Sequence, residues 1–247
     1  MLPRHSAIPM LAPLSPSPRQ RGRCPRQDDL PIMSDINELY ARNRAWAERR
    51  AIDDPDYFTN MARGQNPDYL WIGCADSRVP AERLCGLRPG EVFVHRNVAN
   101  LVIHTDLNCL SVLQYAVEVL KVKHILVVGH YGCGGIEAAL LNMQQGLINN
   151  WLLHIRDIYR RYQKPIDRLP THAAKVDRLG ELNVIEQAYN VANSTIMQAA
   201  WEQGQDVTVH GVIYGMEEGL LQNSGFVASS SENIDQLYDM AVARIFS

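Results

Sequence analysis

From residue 68 onward the apolar positions follow two alternating rhythms. Short runs of β-branched and aromatic residues, "YLWIGC" (69–74), "EVFVHRN" (91–97), "HILVVGH" (124–130) and "VTVHGVIYG" (207–215), are bounded by Gly, Asp or Pro and predict strands. Between them, "TDLNCLSVLQYAVEVLK" (105–121), "LINNWLLHIRDIYRRYQ" (147–163) and "ELNVIEQAYNVANSTIMQAAWEQG" (181–204) repeat apolar residues at helical spacing, the last ending at Gly204. Strands separated by helices predict an α/β fold with a largely parallel sheet covered by helices. Functional groups in such sheets gather at the carboxyl ends of the strands, where Cys74 and His130 both stand.

The pattern is different at the start of the chain. Seven of the 13 prolines fall within residues 1–33, interspersed with Ser and Arg, a composition too poor in apolar surface to offset chain entropy. After Met33, "SDINELYARNRAWAER" supplies a cap at Ser34 or Asp35, a closing Glu38, and an apolar face through Ile36, Leu39, Tyr40 and Trp46. Residues 1–32 are therefore expected to be a disordered extension that is not native, with translation starting at Met33 and a single domain over 33–247.

At 247 residues and 46% apolar content the chain can bury a sizeable core. The net charge of −3 hides five Arg against two Asp in the first 33 residues, so the rest is acidic and offers no basic face for nucleic acid. No apolar run reaches the roughly 18 residues of a membrane span. Five cysteines without a signal-peptide pattern point to a reducing compartment, the cytoplasm, with thiols that bind metal, act in catalysis or pack in the core.

Two clusters carry candidate chemistry. The first is "CADSR" (74–78), with Cys74, Asp76 and Arg78 together at a strand end, and the second is "GHYGCGG" (129–135), a His130-x-x-Cys133 spacing in a Gly-rich turn. By itself the second reads equally as a strand-to-helix turn cradling a phosphate, though it lacks the Lys-Ser/Thr ending of a phosphate loop. Joined, Cys74, His130 and Cys133 supply three ligands of a tetrahedral Zn2+ and leave the fourth position open, the pattern of a catalytic site. Cys85 and Cys109 have no nearby partner and read as packing residues. Asp76 and Arg78 read by themselves as an ordinary surface ion pair.

"CADSR", "RVPAE" (78–82), "FVHRNVAN" (93–100) and "GHYGCGG" resemble the β-class carbonic anhydrases, over essentially the whole chain from Met33. The resemblance implies four parallel strands plus one antiparallel edge strand flanked by α-helices, and one Zn2+ per subunit on Cys74, His130 and Cys133. It implies hydration of carbon dioxide to bicarbonate and a proton by zinc-bound hydroxide, with Asp76 and Arg78 as the catalytic dyad, in a homodimer or dimer of dimers. Relatives with the same zinc site that hydrolyse carbon disulfide, and a non-catalytic bicarbonate sensor, are the alternative readings. Trp71, Arg96 and Tyr214, with Gly73, match the bacterial-type branch that has a noncatalytic bicarbonate site. For that branch the resemblance implies inhibition by bicarbonate through a closed state in which Asp76 itself ligates zinc.

Overall fold

The computed structural model describes residues 35–247, so the expectations for residues 1–32 and for a start at Met33 lie outside the described residues. The chain divides into two compact units, one up to Tyr57 and one from Phe58 to Ser247. The first contains helix α1 (Ile36–Asp53), capped by the side chain of Asp35 on the amide of Asn37 at 2.9 Å. Glu38 does not reach back to close a capping box. Its carboxylate turns forward to Arg42 one helical turn on, where opposite charges attract. No residue of α1 is buried.

The second unit is built on a five-stranded sheet in the order β2-β1-β3-β4-β5. Strands β1 (Tyr69–Cys74), β2 (Val92–Asn97), β3 (His124–His130) and β4 (Thr208–Gly215) are parallel, and β5 (Leu220–Ala228) pairs antiparallel at the edge of β4. Four strands thus fall within a residue of their predicted bounds, because a buried parallel strand is a continuous apolar run that local composition announces. Helices α2 (Tyr57–Ala62), α3 (Ala81–Cys85), α4 (Leu107–Gln114), α5 (Gly134–Leu141), α6 (Ile148–Asp167), α7 (His172–Ala192), α8 (Thr195–Glu202) and α9 (Ile234–Phe246) are the other α-helices among the described residues.

The helix expected over 181–204 is two helices. Helix α7 begins earlier, at His172, with the hydroxyl of Thr171 as its cap, and the chain breaks at Asn193–Ser194. There the Ser194 hydroxyl accepts from the amide of Met197 at 3.2 Å and starts α8. Apolar periodicity runs through this break because both helices present their apolar faces to the same core. The stretch 105–121 is also divided, into α4 and a π-type turn over Tyr115–Val119.

Alternation along the strands assigns each sheet face. Leu70, Ile72, Ile125, Val127, Val209 and Phe226 form a dry core with residues of α4, α7, α8 and α9, each large side chain contributing about 1.5–3 kcal/mol by leaving water. On the opposite face Trp71, Val92, Val128 and Tyr214 pack with Val79 and Ala81 at the start of α3, while Val94, Leu126 and Val212 remain only partly buried. Strand order reverses between β1 and β3. Their carboxyl ends therefore border a crevice, the place where open α/β sheets hold ligands.

Candidate metal centre

Cys74 ends β1 and His130 ends β3, and Cys133 follows His130 by one tight turn before α5 begins. That turn needs Gly132 at φ +64, a left-handed conformation that glycine adopts without steric cost. The three side chains are buried at 5%, 3% and 4% exposure, and their ligand atoms lie within 4.8 Å of one another. The sulfurs of Cys74 and Cys133 are 3.9 Å apart. Tetrahedral coordination at the usual Zn–S distance of about 2.3 Å would set two sulfurs about 3.8 Å apart. The Nε2 of His130 is buried without a hydrogen-bond partner, while its Nδ1 lies 3.0 Å from the carbonyl of Tyr131. A nitrogen in that condition is costly unless something binds it. Two thiols and an orphaned imidazole nitrogen are a donor set that fits zinc.

The two thiols titrate as a pair. The hydrogen bond from Cys133 draws the Cys74 thiol well below its ordinary value against the opposing effect of burial, with smaller help from the neighbouring His130 ring. The same bond, with burial, pushes Cys133 up.

Beyond Cys74, the Oδ1 of Asp76 accepts from the amide and Nε of Arg78, both at 2.9 Å, and its Oδ2 accepts from the other arm of the guanidinium at 2.7 Å. Hydrogen bonding to Arg78 holds the Asp76 carboxyl well below the usual carboxylate range, so it stays ionised. Its Oδ2 is 3.8 Å from His130 Nε2, which brings the carboxylate to the edge of the cluster. Arg78, Tyr131, Asp177, Glu217 and Glu218 line an adjoining cavity of about 610 Å³ that opens to solvent.

Trp71 and Tyr214 lie in one buried cluster, and the indole Nε1 of Trp71 finds no hydrogen-bond partner. Arg96 stands beside Gly73 in register and is exposed. Arg96 Nε donates to the carbonyl of Cys74 at 2.9 Å, and an arm of its guanidinium donates to the carbonyl of Asp76. The register explains this: the side chain of β2 extends across the end of β1 rather than out toward α3.

Of the other thiols, Cys109 is fully buried in the core, and Cys85 is half-buried against the opposite sheet face. Nothing in the sequence singled out Trp151 or Asn183, whose side chains donate to the carbonyls of Val98 and Ala99 beside the centre. Among the described residues no helix is long and apolar enough to cross a membrane.

A family model described as carbonic anhydrase matches residues 69–221. A protein named carbonic anhydrase from Emericella nidulans is 46% identical over 187 residues, which cover 76% of this chain and 82% of the fungal protein. Among solved structures, a Coccomyxa β-carbonic anhydrase in complex with acetazolamide is similar at a TM-score of 0.77 and 42% identity, covering 82% of this chain and 92% of that one. A tetrameric β-carbonic anhydrase from Sordaria macrospora is similar at a TM-score of 0.74 and 37% identity, covering 78% of this chain and 98% of that one.

Proposed function

The chain belongs to the β-class carbonic anhydrases, and from that premise we propose that it hydrates carbon dioxide reversibly with one Zn2+ held by Cys74, His130 and Cys133. The observation that carries this reading is the convergence of two buried sulfurs and an orphaned imidazole nitrogen beside a carboxylate already engaged by an arginine. Zinc bound there supplies Lewis acidity, which lowers the pKa of a coordinated water to about 7 in zinc hydratases. Two thiolates donate more charge than imidazoles and blunt that effect, so an acceptor for the attacking oxygen's hydrogen becomes valuable.

Asp76 is that acceptor. Ionised and fixed on both oxygens by Arg78, it can accept the hydrogen bond of the attacking oxygen and so aim that oxygen's lone pair at carbon dioxide, but it does not carry the proton away. The proton passes to buffer through the open cavity beside Arg78. Arg78 also restrains Asp76 from occupying the open ligand position, which a carboxylate would otherwise take.

Bicarbonate acts at a second place, between Trp71, Arg96 and Tyr214, where the unpartnered indole N–H and the guanidinium are donors suited to an anion. An anion there competes with the carbonyls of Cys74 and Asp76 for Arg96. Releasing those carbonyls would loosen the turn that carries Arg78 and free Asp76 to become a further ligand of a metal held by Cys74, His130 and Cys133, which would inhibit the enzyme. A ligand that binds this state better shifts the population toward it.

The active form is a homo-oligomer, a dimer or dimer of dimers. Val94, Leu126 and Val212 on one sheet face are left partly open, and α1 exposes Ile36, Leu39 and Tyr40, apolar surface that a second copy can bury. The unpaired thiols Cys74, Cys85, Cys109 and Cys133 fit a cytoplasmic location.

Stopped-flow carbon dioxide hydration together with zinc analysis tests the central reading. One zinc per chain is expected, with activity lost on chelation, restored by zinc, and absent from Cys74→Ser. Full activity in metal-free protein overturns it. For the closed state, activity should rise steeply with pH and bicarbonate should inhibit beyond product competition; a shallow single-proton profile counts against it. Light scattering that finds a monomer at micromolar concentration removes the oligomer.

A further inference from the structure

The segment after β2 turns through a conformation that side chains resist. Ala99 and Asn100 have φ of 63° and 49°, two successive non-glycine residues in the left-handed region. Such backbone persists only where its surroundings hold it, and it clusters where function needs it. Ala99 is fully buried in one cluster with Cys74 and Cys133; Val98 and Ala99 lie against Gly135, two residues after Cys133, and the carbonyl of Asn97 accepts from the amide of Ala75, next to Cys74, at 2.8 Å.

The φ and ψ of Ala99 are the rotations between the peptide plane before it and the plane after it. Each plane is pinned by a side chain from a distant helix. The indole Nε1 of Trp151, on α6, donates to the carbonyl of Val98 at 2.8 Å. That carbonyl belongs to the same plane as the Ala99 N–H. The amide of Asn183, on α7, donates to the carbonyl of Ala99 at 2.9 Å. Asn183 is itself aimed: its oxygen accepts from Gln187 at 3.1 Å, and Gln187 accepts from the amide of Val102 at 2.8 Å. Asn97 closes the segment from the other end, exchanging hydrogen bonds with both main-chain groups of Leu101.

We infer that Trp151 and Asn183 are positioning residues of the metal centre: they clamp the two peptide planes around Ala99 and so hold this left-handed turn against the segments that carry Cys74 and Cys133. This rests on Cys74 being a zinc ligand. Groups one step removed from a metal that set the placement of its ligands typically change its affinity about 10- to 100-fold when lost. Neither residue belongs to the set of candidate ligands.

Trp151→Phe removes the indole donor while keeping an aromatic ring in the cluster, and Asn183→Ala removes the second clamp. Two measurements on the full chain decide the matter: zinc affinity by competition with a chromogenic chelator, and the sulfur-to-metal charge-transfer band of the protein loaded with Co2+. Each variant is expected to bind zinc about tenfold more weakly and to shift that band. Should Asn183→Ala not fold, Asn183→Ser, whose hydroxyl is too short to reach the carbonyl, takes its place. Variants that melt at lower temperature yet keep zinc affinity and band unchanged show a merely structural role and overturn the inference. A wild-type chain that binds neither ion defeats the metal reading itself, and the inference with it.

Discussion

Arg78 engages both carboxylate oxygens of Asp76 and adds its own main-chain amide, three donors on one acidic group two residues away. Exposed ion pairs contribute little to stability, and Arg78 is more than half exposed, so the value of this pair lies in where it holds the carboxylate.

The pair predicts a specific separation of effects. Asp76→Asn and Arg78→Ala should each retain zinc and the fold but slow carbon dioxide hydration by about 100-fold or more, the scale of a lost positioned acceptor. Arg78→Lys should not restore the rate, because an ammonium cannot make the two-pronged contact. Stopped-flow rates beside zinc content provide the check; an Arg78→Ala enzyme as fast as the parent removes both residues from the mechanism.

Gly73 is predicted to be intolerant of any side chain. A Cβ there would lie 2.1 Å from Nε1 and 2.8 Å from Cδ1 of Trp71, whose ring is fully buried and has no room to retreat. Gly73→Ala should cost about 1–3 kcal/mol by overpacking, read from urea denaturation. Much of that loss should return in the Gly73→Ala, Trp71→Phe double variant, where the smaller ring gives way. Additive losses would mean the two positions do not compete for the same space.

Alkaline stability should respond to Cys109. Burial in the core pushes this thiol up to about 12 from its ordinary 9.0, because the thiolate has no water there. A group whose folded value is raised contributes fully below the unfolded value and loses that contribution as pH climbs through the folded one. Stability should therefore decline between about pH 9 and 12, and the decline should be shallower in Cys109→Ala. Denaturant midpoints at pH 8 and pH 10.5 test this, and parallel curves for the two proteins would show that Cys109 is not the group responsible.

Much of the candidate centre was legible in the sequence because its signals are local. Strand bounds follow from continuous apolar runs, and Cys74, Asp76 and Arg78 lie within five residues of one another, as His130 and Cys133 lie within four. Helix termini were less legible. The break at Ser194 separates α7 from α8 although the apolar spacing passes through it, since a capping hydroxyl interrupts the backbone without interrupting the face.

By itself, then, the sequence determined the parallel strands, the residues able to hold a metal and the acid beside them, because spacing and side-chain chemistry are properties of neighbours in the chain. Only the tertiary structure decided what surrounds them. Trp151 meets Val98 across 53 positions and Asn183 meets Ala99 across 84, while Arg96 finds the carbonyls of Cys74 and Asp76 through strand register. These contacts use main-chain groups, which every residue carries alike. Residue type therefore does not announce them, and packing alone selects which carbonyl each donor finds.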